Sequence, residues 1–361
     1  MQKALSPIDA ISPAFEHARR QLFQPFRFGH WARMAVIALL TGEFAGGGWS
    51  SGNVNLPAGQ GQGQGDEFWL SQLAQDPWQT IREYLPVIAV LLVAVLAVGL
   101  IFSYIESVFR FLMLDAVLRG RAEIRAGWSR WSEKGGGYFL WQLGLSLVLL
   151  AAAAIVIGLP VLYAWHAGWF AGSDQNFGKL LLGGLVLFVL FIALALFGAL
   201  AVVFTRDFVI PLVALENVTI TDGWRRLLPM LRREKGAFFV YLLMKIVLGL
   251  GSAIVFGIVD VMALLVLLIP LAILGVIVFI AAQAASLTWN LGTIAVALLA
   301  GVGVLAGLFF LMGFIYVPGL VFFQAYPLYF FAGRFPALAA VLSPPPPETS
   351  PPLPEAAAPA S

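Results

Sequence analysis

TITDGWRRLLPMLRREKGAFF, residues Thr219–Phe239, sets five basic side chains between two long apolar runs. The chain around it is 60% hydrophobic and only 11% charged, where a soluble domain carries about a quarter charged residues. Mean hydropathy is +0.91. Within the stretch, Trp224, Leu227, Leu228 and Leu231 recur at i, i+3, i+4 and i+7, one face of a helix. Arg225, Arg226, Arg232 and Arg233 flank that face. Such a helix can lie in a membrane interface, apolar side down, with its arginines among anionic headgroups. The plainer reading is a positive loop that sets topology and packs on neighbouring helices. Pro229 predicts a kink or an end to the helix.

Outward from this stretch, the apolar runs reach the ~20 residues a bilayer-spanning helix needs. Spans are read at 31–45, 85–105, 138–162, 179–204, 236–258 and 292–317. Seventeen of the 21 basic residues precede or open the first span, or lie between spans two and three or four and five. The alternate loops hold only Arg82 and Lys179, together with several carboxylates. The positive-inside rule then predicts a multi-pass membrane protein with its N-terminus and Arg-rich loops in the cytoplasm. The first 28 residues have no continuous apolar core, so the first span is expected to act as an uncleaved anchor.

The stretch also has relatives. EIRAGWSRWSEKGGGYFLW (Glu123–Trp141) shares with it an Ile, a Gly-Trp, an Arg, a Glu-Lys-Gly and an aromatic entry into a span. ISPAFEHARRQLFQPFRFGHW (Ile11–Trp31) is a looser copy. There Ile11, Phe15, Ala18 and Leu22 share a face, and Ser12-Pro13 suggests an N-cap followed by proline at the first helical position. The expected fold is all-α: a polytopic transmembrane bundle of three helical-hairpin repeats with cytoplasmic amphipathic helices. The units run 8–120, 121–216 and 217–334 within one transmembrane domain, 1–336. Segment 261–285 is long enough to span but is interrupted by Pro270. Six spans are expected, with this segment re-entering; the alternative is seven, with it crossing. Small residues such as Gly183, Gly184, Gly198, Gly301, Gly303 and Gly307 suit close helix contact. The Gly/Gln-rich stretch 46–66 reads as a mobile outer loop. The Pro/Ala-rich tail 343–361 reads as disordered.

Chemistry is sparse. With no cysteine, thiolate and disulfide chemistry are excluded. The three histidines, His17, His30 and His166, lack metal-ligand spacing. No phosphate loop, nucleophile elbow or zincin motif occurs. No catalytic residue, cofactor or metal is expected, nor a nucleic-acid partner. Two charges fall at span depth. Lys245 lies about 13 Å into its helix at 1.5 Å per residue. Glu106 sits near the basic end of the second span. They pair with each other, or Lys245 snorkels and Glu106 meets Arg110 one turn away. Asp207 reads as a local partner of Arg206, and Asp260 as an outer turn. Tyr316, Tyr326 and Tyr329 suit an interfacial belt. Arg125, Arg130, Arg225, Arg226, Arg232 and Arg233 are the candidate headgroup contacts.

The opening ISPAFEHARRQLFQPFRFGHWARM, the Gly-Trp-Arg-Arg helix before a span, and the closing VPGLVFFQAYPLYFFAGRFP together resemble a group of uncharacterised bacterial multi-pass proteins. That group is similar to the membrane domain attached to some glycerophosphodiester phosphodiesterases. The resemblance covers about residues 8–336 and implies an inner-membrane helical bundle. The soluble catalytic barrel of those enzymes has no counterpart here, so hydrolase activity is not carried over. The expected role is non-enzymatic: organising membrane lipids, anionic ones foremost, or partner proteins through the basic helices. The alternative is a small transporter or channel using the bundle interior.

Overall fold

A computed structural model describes residues 5–42, 77–170, 173–285 and 290–342. Two short helices open it, α1 (Ile11–Phe23) and α2 (Phe28–Leu40). Five rods follow. They are α3 (Pro77–Arg119); α4 (Ile124–Ala153), continued through a π turn (Ala154–Gly158) into α5 (Leu159–His166); and α6 (Ser173–Phe204), continued through a second π turn (Thr205–Val209) into α7 (Ile210–Glu216). After the amphipathic α8 (Ile220–Arg233) come α9 (Lys235–Ala284) and α10 (Leu291–Ala332), then a last short helix, α11 (Pro336–Leu342). The chain is an all-α polytopic bundle, and among the described residues five helices are long and apolar enough to cross a membrane.

Each rod is divided along its length. At the basic end the helices converge on an aromatic core in which Phe111, Tyr138, Phe208, Tyr241, Tyr326 and Phe330 are completely buried. Tyr241 stacks between Tyr326 and Phe330, with ring centroids 5.3 and 4.8 Å away. Such pairs add about 0.5–1.5 kcal/mol each beyond the area they bury. Away from this core the rods expose nearly unbroken Leu, Val, Ile and Phe, as in residues 85–102, 181–197 and 264–280. Hydrocarbon is the solvent that such surfaces fit.

Glycine sets the closest approaches. A Cβ on Gly135 would lie 2.7 Å from the Val108 backbone, so α3 and α4 touch there main chain to main chain. Gly127 and Gly223, each the first half of a Gly-Trp pair, press in the same way on Leu112 of α3 and Val209 of the second π turn. Of the other small residues singled out above, Gly198 meets Leu149, whereas Gly184, Gly301, Gly303 and Gly307 have open space around them.

Several expectations need correction. Segment 261–285 neither re-enters nor forms a separate span: α9 runs through Pro270 as one 50-residue helix, about 75 Å long at 1.5 Å per residue. A proline inside a helix costs about 3 kcal/mol. Breaking the helix there would expose several backbone groups to hydrocarbon, at several kcal/mol each. No polar residue lies within nine positions of Pro270 along the chain to receive them. Asp260 is therefore mid-helix, not at a turn, and accepts a hydrogen bond from the Tyr316 hydroxyl. α2 has 13 residues, about 20 Å, short of a 30 Å hydrocarbon core. α8 continues past Pro229 to Arg233, anchored by its cap at Thr219 and by buried Leu227.

α1 starts at Ile11, before Ser12, and its N-cap, Ala10, makes no side-chain bond. Its buried face is Ala14, Ala18 and Leu22, while Phe15 points outward. The tyrosines form no belt: Tyr326 is buried with its hydroxyl donating to the Pro7 carbonyl, and Tyr329 meets His17. The stretch 46–66 and the tail 343–361 lie outside the described residues.

Candidate functional site: a polar layer at the foot of the apolar rods

The second π turn carries the sequence Thr205-Arg206-Asp207. Consecutive residues of a helix point to different sides. Arg206 and Asp207 accordingly do not pair with each other, contrary to the sequence expectation. Each reaches a different rod.

Arg206 donates from Nη2 to Glu106 Oε1 of α3 at 3.2 Å. The same Oε1 accepts from Arg110 Nη2 at 3.0 Å, one turn along α3. Arg110, with a side chain only 4% exposed, also donates to the Thr41 carbonyl at 2.8 Å. Thr41 ends α2, so a buried guanidinium caps the negative end of that helix. Gly42 follows at φ +66, and a Cβ there would come 3.2 Å from the Glu106 carboxyl carbon. This left-handed turn beside a carboxylate is where glycine is needed. Among the described residues, two cations and one anion share the cluster.

Asp207 faces the other way, into α9. Its Oδ2 accepts from the Tyr241 hydroxyl at 2.8 Å and forms a close ion pair with Lys245. The expected pairing of Lys245 with Glu106 is thus replaced by Lys245–Asp207, and Lys245 does not snorkel free. Asp207 is 7% exposed, a depth at which a carboxylate is held only by partners. Thr205 completes the turn. Its hydroxyl donates to the Ala201 carbonyl at 2.6 Å and accepts from the Trp224 indole at 3.2 Å. Trp224 also stacks on Trp141 of α4.

One π turn therefore ties α6 to α3, to α8 and to α9. The layer sits where the exposed apolar run of α3, which ends near Phe102, meets the aromatic core. Sequence reasoning picked out Glu106, Lys245 and the Glu106–Arg110 pair. It missed Thr41 and Tyr241, which lie 69 and 34 residues from their partners Arg110 and Asp207, separations over which no local pattern runs.

The six candidate headgroup arginines are all exposed at the basic end. Arg130 lies 3.6 Å from Asp115, which Arg119 also holds at 2.7 Å. Arg225 lies 3.5 Å from Asp222, and Arg226 pairs with Glu216. Arg125, Arg232 and Arg233 have no ion-pair partner among the described residues. The apolar face of α8 is spent on protein: Ile220, Gly223 and Leu227 are buried, and Leu228 is partly exposed. The four arginines of that helix face outward.

Set beside known proteins, the chain matches over residues 5–341 a model described as a family of unknown function, DUF7544. No curated protein and no solved structure matches it.

Proposed function

The chain belongs to the DUF7544 family over nearly its whole length, and from that premise we propose that it is a non-enzymatic integral membrane protein that gathers anionic lipids at its basic end. The observation that carries the proposal is the placement of Arg125, Arg225, Arg226, Arg232 and Arg233. All are exposed at the end of the bundle from which apolar rods extend. Each basic residue near an anionic membrane surface contributes about 1 kcal/mol. The orientation follows from charge: the basic end lies in the cytoplasm of a bacterial cell, against the inner leaflet. The three-unit repeat and the kinship with phosphodiesterase membrane domains belong to the same reading. They rest on the quoted motifs and transfer no hydrolase activity.

The test is lipid counting on the purified full chain by native mass spectrometry, with phosphatidylglycerol or phosphatidylcholine added. The wild type is expected to retain phosphatidylglycerol preferentially. Arg225, Arg226, Arg232 and Arg233→Gln together are expected to erase the preference. Equal retention of both lipids by the wild type would overturn the reading. Transport through the interior draws no support from Lys245, whose ammonium is held by Asp207. A flux across vesicles that Lys245→Leu abolishes would reverse that judgement.

A further inference from the structure

A cavity of about 1090 Å³ opens between α1, the start of α2 and the end of α3. Its wall is unlike the rest of the molecule. Arg20, Arg27, Arg33 and Arg121 line it, with Glu16 and Glu123 as its acidic groups. Glu16 is already engaged by Arg20 at 2.8 Å and approached by Arg19 at 3.8 Å. Arg27, Arg33 and Arg121 have no ion-pair partner among the described residues. Three guanidiniums thus share one concavity with a single carboxylate left to balance them.

The frame of the cavity is fixed. His17 bridges α1 to the other helices through the Tyr329 hydroxyl at 3.2 Å and the Val117 carbonyl at 3.0 Å. Gln21 donates to the Ala116 carbonyl at 2.8 Å. Both bonds pin α1 to the end of α3, so the cavity does not close by collapse of α1. On the α2 side, His30 sits between Arg27 and Arg33, and its Nε2 is shielded from solvent without a hydrogen-bond partner.

We propose that this cavity binds a phosphate group, held by Arg27, Arg33 and Arg121. Guanidinium forks match phosphate oxygens two at a time, and like charges confined to one concavity favour an anion that neutralises several at once. The volume lies just above the usual range of small-molecule pockets, so the phosphate enters as part of a larger molecule. Two sources share this chemistry: a lipid headgroup and a soluble phosphate ester. Exposed Phe23, Phe26 and Phe28 form the turn and helix start beside the cavity, an apolar rim that suits a lipid. The site shares no residue with the arginines of the proposed function, so the two stand or fall separately.

The test uses the full chain in detergent. One arm titrates glycerol 3-phosphate and follows ³¹P NMR line broadening. The other adds phosphatidic acid, with phosphatidylcholine as control, and counts bound lipid by native mass spectrometry. The variant is Arg27, Arg33 and Arg121→Gln together. All three side chains are exposed, so the fold is expected to persist, as a thermal melt of the variant verifies. Saturable binding in either arm, weakened at least tenfold in the variant and unchanged by Arg225 and Arg226→Gln, supports the site. Binding in the lipid arm alone identifies a headgroup, and binding in the soluble arm identifies a free phosphate ester. Absence of saturable binding in both arms, or equal binding by the variant, overturns the proposal.

Discussion

Replacing Asp207 by alanine removes the one acceptor shared by Tyr241 and Lys245. Tyr241 is completely buried, and its orphaned hydroxyl costs about 1–3 kcal/mol. Breaking a buried ion pair by deleting one partner costs about 3–5 kcal/mol. The Lys245 side chain is 27% exposed, so part of that cost is relieved by water, and a total of about 3–4 kcal/mol is expected. Lys245→Leu leaves the Asp207 carboxylate, 7% exposed, with Tyr241 as its remaining partner and is expected to cost about as much, about 3–4 kcal/mol. Removing both charges, Asp207→Ala with Lys245→Leu, strands only Tyr241. The loss is then expected to be smaller than the sum of the single losses by at least about 1 kcal/mol, the usual range for groups in contact. Denaturant unfolding of the purified chain, followed by the fluorescence of its 11 tryptophans, measures the cycle. Additive losses within about 0.5 kcal/mol would refute the reasoning, because they would mean that Asp207 and Lys245 do not share a bond.

Gly135→Ala forces a methyl against the Val108 backbone and should destabilise by about 1–3 kcal/mol. In the same unfolding assay Gly137→Ala, with open space around it, should be neutral or stabilise by up to about 1 kcal/mol. Burial, and then the charges of Arg27 and Arg33, hold His30 below its ordinary value of 6.5. The unfolded chain then binds the extra proton first. Stability contributed by neutral His30 is present above 6.5 and falls as pH drops through the folded value. His30→Gln should flatten that part of a stability–pH curve. Because the chain has no native cysteine, a single cysteine at position 226 should label from the cytoplasmic side only. Labelling from outside intact cells would invert the topology.

Long apolar runs were legible because hydropathy needs no partner: a rod 40 residues long in Leu, Val and Ile announces its solvent. Glu106 and Arg110 were legible too, since i and i+4 share a face whatever the fold. Asp207 was misread because its partner depends on where the π turn directs it, and no local spacing encodes that turn. Proline misled in the other direction. Pro229 and Pro270 lower helix propensity locally, but cost less than exposing broken backbone or losing a packed face. The rotated face of α1 has a similar origin. Ala14 rather than Phe15 meets the neighbouring helices, because a small residue allows the close approach on which the His17 bridge depends.

The π turn at Thr205–Val209 works as a key cut on two edges. Its neighbouring teeth, Arg206 and Asp207, engage separate locks on α3 and α9. Spinning that shaft by a single residue's angle, roughly 100°, would disengage both. A one-residue insertion ahead of Thr205 is therefore the smallest edit that unfastens three helices at once, without altering any side chain.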